Sequence, residues 1–123
     1  MEQLLKRARE CAYALEKQDE ILIVSHVDAD GLASAGIICR ALDRIEKGYE
    51  VKIVKQLDPS VFHDISSAEA VIFSDLGSGS LDLIDDLGPL CVIADHHQPA
   101  GRSDTALHLN PHLFGFNGAT DLS

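Results

Sequence analysis

The chain has 123 residues, 46% of them hydrophobic and 24% charged, the profile of one soluble globular domain rather than a disordered or fibrous chain. Its net charge of −10 is unevenly spread: Met1 to Lys55 carries nine Lys or Arg against ten Asp or Glu, whereas Gln56 to Ser123 has only Arg102 against ten acids. Non-specific nucleic-acid binding runs on Lys and Arg contacts to phosphate, so the second half is a poor clamp by itself; its acids serve solubility or, in part, hold metal ions, with any basic substrate channel supplied elsewhere.

Met1-Glu2-Gln3 leads into an amphipathic segment rather than a signal peptide, and no apolar run approaches the ~20 residues that span a bilayer. A cytoplasmic protein with no membrane partner is expected. Leu4, Leu5, Ala8, Ala12 and Leu15 recur at three- and four-residue intervals, predicting a helix from about Glu2 to Lys17 with one apolar stripe for the core. Ile21 to Val24 is a continuous apolar run, the mark of a strand covered on both faces. Ser25-His26-Val27-Asp28-Ala29-Asp30-Gly31 follows, and Leu32, Ala35, Cys39 and Leu42 then set a second helical period ending near Lys47-Gly48. Val51 to Lys55 is a partly alternating strand whose two lysines suit a sheet edge. Leu57 to Ser60 reads as a turn and Val61 to Ile65 as a short helical piece.

Ala70 to Phe73 is again wholly apolar and is cut off by Ser74-Asp75-Leu76-Gly77-Ser78-Gly79, with a helix predicted from Leu81 to Leu87 behind Ser80 as N-cap. Leu90 to Ala94 is the fourth strand and ends in Asp95-His96-His97; Ala106 to Leu109 is a short further strand, and Asn110-Pro111 opens a glycine-rich tail. Cys11, Cys39 and Cys91 show no Cys-x-x-Cys spacing and are read as reduced, core-filling residues rather than zinc ligands. Strands separated by helices imply parallel pairing with right-handed crossovers: an α/β fold, a parallel sheet of four to five strands in the order 2-1-3-4, with helices on both faces. In that order a crevice opens at the carboxyl ends of strands one and three, where the chain changes direction across the sheet.

His26, Asp28 and Asp30 stand at alternate positions, and in an extended segment they converge on one point. Such groups repel unless a cation lies between them. Asp75 and Asp95-His96-His97 end the neighbouring strands, so all three polar clusters fall on one rim. Taken singly each has a plainer reading, Asp75 as a cap or turn former and the His pair as a solvated loop; together they point to a metal site. Carboxylates with a minority of imidazoles and no thiolate suit manganese or magnesium. Four carboxylates and two or three imidazoles are too many for one ion but suit two ions that share a bridging carboxylate and hydrolyse a phosphoryl ester. Asp75, from the middle strand, is the geometric candidate for the bridge, with His26 and Asp28 on one ion and Asp30 and His96 on the other. His97 would donate to a phosphate oxygen or leaving group, and Asp95 would orient an imidazole. Gly31 would bring a helix N-terminus close to a phosphate, though a plain turn residue reads equally well.

Ser25-His26-Val27-Asp28-Ala29-Asp30-Gly31, Phe73-Ser74-Asp75 and Asp95-His96-His97 resemble, in order and context, the first three motifs of the DHH phosphoesterase superfamily, and the segment from Asn110 to Gly118 is similar to that of its RecJ-like, archaeal-type members. The resemblance implies the DHH fold and metal-dependent phosphodiester hydrolysis, with single-stranded DNA or RNA as the substrate of a RecJ-like exonuclease. It assigns His26, Asp28, Asp30, Asp75 and His96 as ligands of two Mn2+ or Mg2+ ions. His97 and Asp95 become catalytic residues, and Gly31, His97 and Asn110 the phosphate-binding set. Pyrophosphatase members place the first histidine four residues before the first ligand aspartate; here the spacing is two, which favours the nuclease branch. The family's fourth motif and its DHHA1 domain have no counterpart in residues 1–123, and Asp121 stands too close to Asn110 for the missing aspartate. The resemblance therefore makes these residues the N-terminal portion of a catalytic domain, weakly active or inactive alone. Its rivals are a DHH phosphodiesterase of short oligonucleotides or cyclic dinucleotides, and a non-catalytic replication scaffold; the partners implied are single-stranded nucleic acid and replication or repair proteins.

Overall fold

The apolar run at Ile21 to Val24 becomes the centre of β1 (Glu20–His26) in a computed structural model, which describes residues 1–115. The end of the tail, with Phe116-Asn117-Gly118 and Asp121, lies outside the described residues. Four further strands follow: β2 (Gly48–Val54), β3 (Ala70–Ser74), β4 (Leu90–Ala94) and β5 (Leu107–Leu109). They form one wholly parallel sheet in the order β2-β1-β3-β4-β5. The expected order holds, and the short segment after β4 closes the far edge as the fifth strand.

Burial sorts the strands as their sequences require. All five residues of β3 are buried. The edge strand β2 leaves Val51 and Ile53 exposed at 45% and 40%, and its Lys52 reaches Asp64 at 3.6 Å. Alternation in β1, β3 and β4 feeds two cores. On one face α1 (Glu2–Glu16) and α2 (Ala29–Arg44) bring Cys11, Ala35 and Leu42 against Ile21, Ile23, Ile72 and Val92. On the other, α3 (Pro59–Ile65) and α4 (Leu81–Asp85) bring Phe62, Ile65, Leu81 and Ile84 against Val24, Val71, Phe73 and Ile93. The cysteines are free, and burial pushes the Cys11 and Cys91 thiols up to about 11, which leaves them inert packing groups. Among the described residues no helix is long and apolar enough to cross a membrane.

Several boundaries differ from the sequence expectation for local reasons. Helix α2 begins at Ala29, ahead of its first periodic leucine, because Asp28 caps it. Glu46, at φ 57°, turns the chain out of α2 early enough for β2 to start at Gly48. Helix α4 ends at Asp85 instead of Leu87, and Ser80 supplies no side-chain cap bond.

Asp85 ties α4 to the connection between β4 and β5. Its carboxylate accepts from the Ser103 hydroxyl, from Asp104 N at 2.9 Å and from the Thr105 hydroxyl at 3.0 Å. These donors, the Asp104 amide first, hold its pKa down to about 2. A depressed carboxylate contributes stability that is present above its unfolded pKa near 3.8 and is lost as pH falls through its folded value. Amide-exchange protection at Asp104 and Thr105 is therefore expected to disappear between about pH 4 and pH 2, while Asp85→Asn weakens it at neutral pH. Protection that persists in both cases would show that something else orders the loop.

Candidate metal centre

Strand register assembles the site. Ser25, Ser74, Ala94 and Leu109 stand side by side across β1, β3, β4 and β5. The next residues in the chain are His26, Asp75, Asp95 and Asn110, one row along the carboxyl-terminal rim. The ladder continues under this row, with Asp75 N donating to Ala94 O at 2.9 Å and Asp95 N to Leu109 O at 3.1 Å. Small residues in the row beneath give α2 room to approach: the Ser25 hydroxyl donates to Gly31 O at 2.7 Å, and Ser34 Oγ lies 2.5 Å from Ser74 Oγ.

The alternation of His26, Asp28 and Asp30 survives only as far as Asp28. Asp28 is extended, and its Oδ2 meets His26 Nδ1 at 3.0 Å. Its Oδ1 accepts from Gly31 N at 2.8 Å, which starts the helix. That backbone hydrogen bond, followed by the contact with His26, lowers the Asp28 pKa. Helical geometry then carries Asp30 away from the pair, because consecutive helical residues do not keep a two-residue period. The expectation of three converging groups is thus corrected to two, with Asp30 placed on the wall of an adjoining cleft.

Gly31 also proves to be a packing requirement. It is buried, and a Cβ there would lie 2.1 Å from His26 O. The glycine lets the first turn of α2 rest on the end of β1; of the two sequence readings, neither the plain turn nor the phosphate approach describes this contact.

Asp75 occupies the centre. It is 7% exposed and sits at φ 62°, a left-handed conformation uncommon outside glycine and associated with functional sites. Its Oδ1 lies 2.9 Å from His96 Nε2. Burial raises its pKa; His96 works against the rise and the Asp28 carboxylate adds to it. Among the described residues, two sets of side chains bring potential ligand atoms within 4.8 Å of one another: Asp75, Asp95, His96 and His97, and His26, Asp28 and Asp75. Asp75 belongs to both. Asp30 belongs to neither.

Asp95 is held from several sides. Its Oδ1 lies 2.6 Å from His97 Nδ1 and accepts from His96 N at 2.8 Å, while its Oδ2 accepts from Ser78 N at 3.2 Å. Burial works to raise its pKa, but the bonds from His97 and Ser78 outweigh it and the pKa is lowered. In return His97, despite partial burial, has its pKa raised by Asp95. Asn110, expected to face a phosphate, is instead fully buried. Its Oδ1 accepts from His112 N at 2.9 Å, and its Nδ2 donates to His97 O at 2.8 Å and Ser78 Oγ at 2.9 Å. With both amide hydrogens engaged it has nothing to offer a phosphate, and its work is to support the histidine loop. Sequence reasoning does not reach Ser78 and His108, which also belong to this region; the one signal is a lone histidine between Leu107 and Leu109 in an otherwise apolar strand.

The carboxylates open in two directions. A cleft of about 490 Å3 is lined by Asp30, Asp75, Asp95 and His96 together with Leu4 and Leu5 of α1 and Ile37 of α2. A smaller pocket of about 240 Å3, which shares Asp75 and Asp95 with it, has His26, Asp28 and His97 in its lining. Among the described residues the Lys and Arg ion pairs are Arg7–Glu10 and Lys52–Asp64, neither at the rim. Crowded carboxylates, one with a raised pKa and only imidazoles for company, form a donor set suited to hard divalent cations.

Three comparisons bear on the family and the fold. The model of the DHH family, N-terminal domain, matches residues 20–120. An uncharacterized protein of Methanocaldococcus jannaschii is 31% identical over 112 residues, covering 84% of this chain and 26% of that protein. Among solved structures, exonuclease RecJ bound to manganese superposes with a TM-score of 0.74 at 20% identity, over 94% of this chain and 34% of that one. RecJ in complex with Mn2+ from Thermus thermophilus gives 0.70 at 23% identity, over 89% and 17%. The shared fold is that of RecJ, and the chain spans about a quarter of the curated relative it matches.

Proposed function

Because the chain belongs to the DHH family, we propose that its strand-end carboxylates and imidazoles hold two divalent cations, manganese or magnesium, for hydrolysis of a phosphodiester. The observation that carries this reading is Asp75, whose carboxylate is common to both ligand groups. His26 and Asp28 serve one cation and His96 the other, with Asp75 shared between them. Asp30, which faces the same cleft as His96, is assigned to the second. The pair supplies Lewis acidity toward the phosphoryl oxygens when bound. The chain's own residues do the rest. Asp95 engages His97 Nδ1, which leaves Nε2 for the substrate, and the raised imidazole pKa favours the form that donates a proton to a phosphate oxygen or leaving group.

We assign residues 1–123 as the N-terminal portion of the catalytic DHH domain of a RecJ-like, single-strand-specific exonuclease, a reading supported by the fraction of its relatives that the chain spans. In this reading the fourth motif and the substrate-binding domain belong to other parts of the protein, and nucleic-acid contacts and repair or replication partners are reached through them. The scarcity of cations after Lys55 is consistent with such a division. A phosphodiesterase of short oligonucleotides or cyclic dinucleotides would share this centre.

The test is side-by-side digestion of end-blocked single-stranded DNA, single-stranded RNA and a cyclic dinucleotide, with manganese, by the chain and by its longer parent. Stepwise nucleotide release from a single strand by the parent, with the isolated chain weak or silent, is the expected result. Cleavage confined to the cyclic dinucleotide selects the second reading. No manganese binding and no cleavage by either protein overturns both.

A further inference from the structure

Both ends of His97 trace back to one buried serine. From Ser78, the backbone N–H runs to Asp95 Oδ2 at 3.2 Å, and the other oxygen of that carboxylate meets His97 Nδ1 at 2.6 Å. The Ser78 hydroxyl meets Asn110 Nδ2 at 2.9 Å, and the same amide nitrogen donates to His97 O at 2.8 Å. Ser78 and Asn110 are fully buried, and His108, whose Nε2 lies 2.9 Å from Ser78 Oγ, is 3% exposed.

The Asn110 amide sets the direction of the bonds around it. His112 N can only donate and His97 O can only accept, so the Asn110 amide has one possible orientation. Its second Nδ2 hydrogen points at Ser78 Oγ, which must accept it. Among the described residues the one further partner of Ser78 Oγ is His108 Nε2, and we assign the serine hydrogen to it, which makes His108 neutral with its proton on Nδ1. Burial, which lowers the His108 pKa, agrees with a neutral ring. Nδ1 is then a buried N–H without a partner. A leucine at this position would remove that unpartnered group but leave the buried Ser78 hydroxyl hydrogen without an acceptor, so the contact to Ser78 is what the imidazole contributes.

We propose that Ser78, its hydroxyl aimed by His108, is a positioning residue for His97: its N–H holds the Asp95 carboxylate that keeps the ring proton on Nδ1, and its hydroxyl, through Asn110, holds the His97 carbonyl so that the ring stays within reach of Asp95. The inference rests on the phosphodiesterase reading only for its catalytic consequence; the orientation of His97 is a property of this chain alone.

Long-range proton–nitrogen NMR of the imidazoles, recorded on this chain above the imidazole pKa range, reads the tautomers directly. In the parent chain His97 and His108 are both expected as Nδ1–H. Ser78→Ala and His108→Leu are expected to shift His97 toward the Nε2–H form that an unheld imidazole prefers. His108→Gln, whose side-chain oxygen can take the serine hydrogen, is expected to restore Nδ1–H. Should Ser78→Ala fail to fold, the two His108 variants decide the matter. In the longer protein, kcat with manganese and a single-stranded substrate is expected to fall about tenfold in His108→Leu, with KM unchanged, as for loss of a residue that orients a reacting group. A His97 spectrum unmoved by His108→Leu overturns the proposal. A shifted spectrum in a protein that cleaves nothing supports the positioning and overturns the phosphodiesterase reading instead.

Discussion

Asp75→Asn is expected to abolish manganese-dependent cleavage and to remove manganese binding at both proposed positions. Residues that merely orient a ligand contribute roughly 10–100-fold in metal affinity or activity, so a carboxylate shared by two ligand groups should exceed a hundredfold. Asparagine is the informative replacement because it tolerates the left-handed backbone at φ 62°, whereas alanine would add a backbone penalty of about 1–2 kcal/mol.

The same variant separates metal binding from folding. Burial raises the Asp75 pKa and the nearby Asp28 carboxylate adds to the rise. For a carboxylate with a raised folded pKa, stability falls as pH climbs from the unfolded pKa through the folded one, so at neutral pH the ionised side chain opposes folding. Without metal, Asp75→Asn is therefore expected to melt at or above the parent temperature. With manganese the order reverses, because a ligand that binds only the folded state stabilises it by mass action. Thermal melts with and without a chelator provide the check. A variant that manganese still stabilises as strongly as the parent chain would remove Asp75 from the centre.

How far the sequence reaches depends on whether a feature is set by periodicity or by packing. The wholly apolar runs of β1, β3 and β4 needed no tertiary information, and two-sided burial put them inside the sheet, with the lysine-bearing β2 on the edge. Parallel order then carried Asp75 and Asp95 to the same rim as His26. Asp30 escaped because a single hydrogen bond from Gly31 N to Asp28 ends the extended geometry two residues early, and nothing in an Asp-x-Asp-Gly string says where a helix will start. The family resemblance places Asn110 in the phosphate-binding set, yet Pro111 turns the chain there and the amide is consumed in capping that turn and in holding His97 O and Ser78 Oγ. Ser78 and His108 lie 30 residues apart and meet only once β5 has docked against β4.

Gly31→Ala is expected to destabilise the fold by about 3 kcal/mol or more, the upper end of overpacking effects. The sign is informative because propensity points the other way: alanine in a helix is favoured over glycine by about 1 kcal/mol. The added Cβ would lie 2.1 Å from His26 O and 2.7 Å from His26 C. These are backbone atoms of a strand inside a five-stranded sheet, so no rotamer change relieves the clash and α2 must move. Moving α2 pulls Asp28 and Asp30 from the rim and strains the bonds from Ser25 to Gly31 O and between Ser34 and Ser74. Gly36 provides the control. It lies in the same helix with nothing within 4 Å of its would-be Cβ, so Gly36→Ala is expected to gain about 1 kcal/mol. Urea midpoints for the two variants should then fall on opposite sides of the parent. A Gly31→Ala protein as stable as the parent that has lost substrate binding would return this glycine to the phosphate; a stability loss accompanied by weakened manganese binding would tie the helix–strand contact to the metal centre.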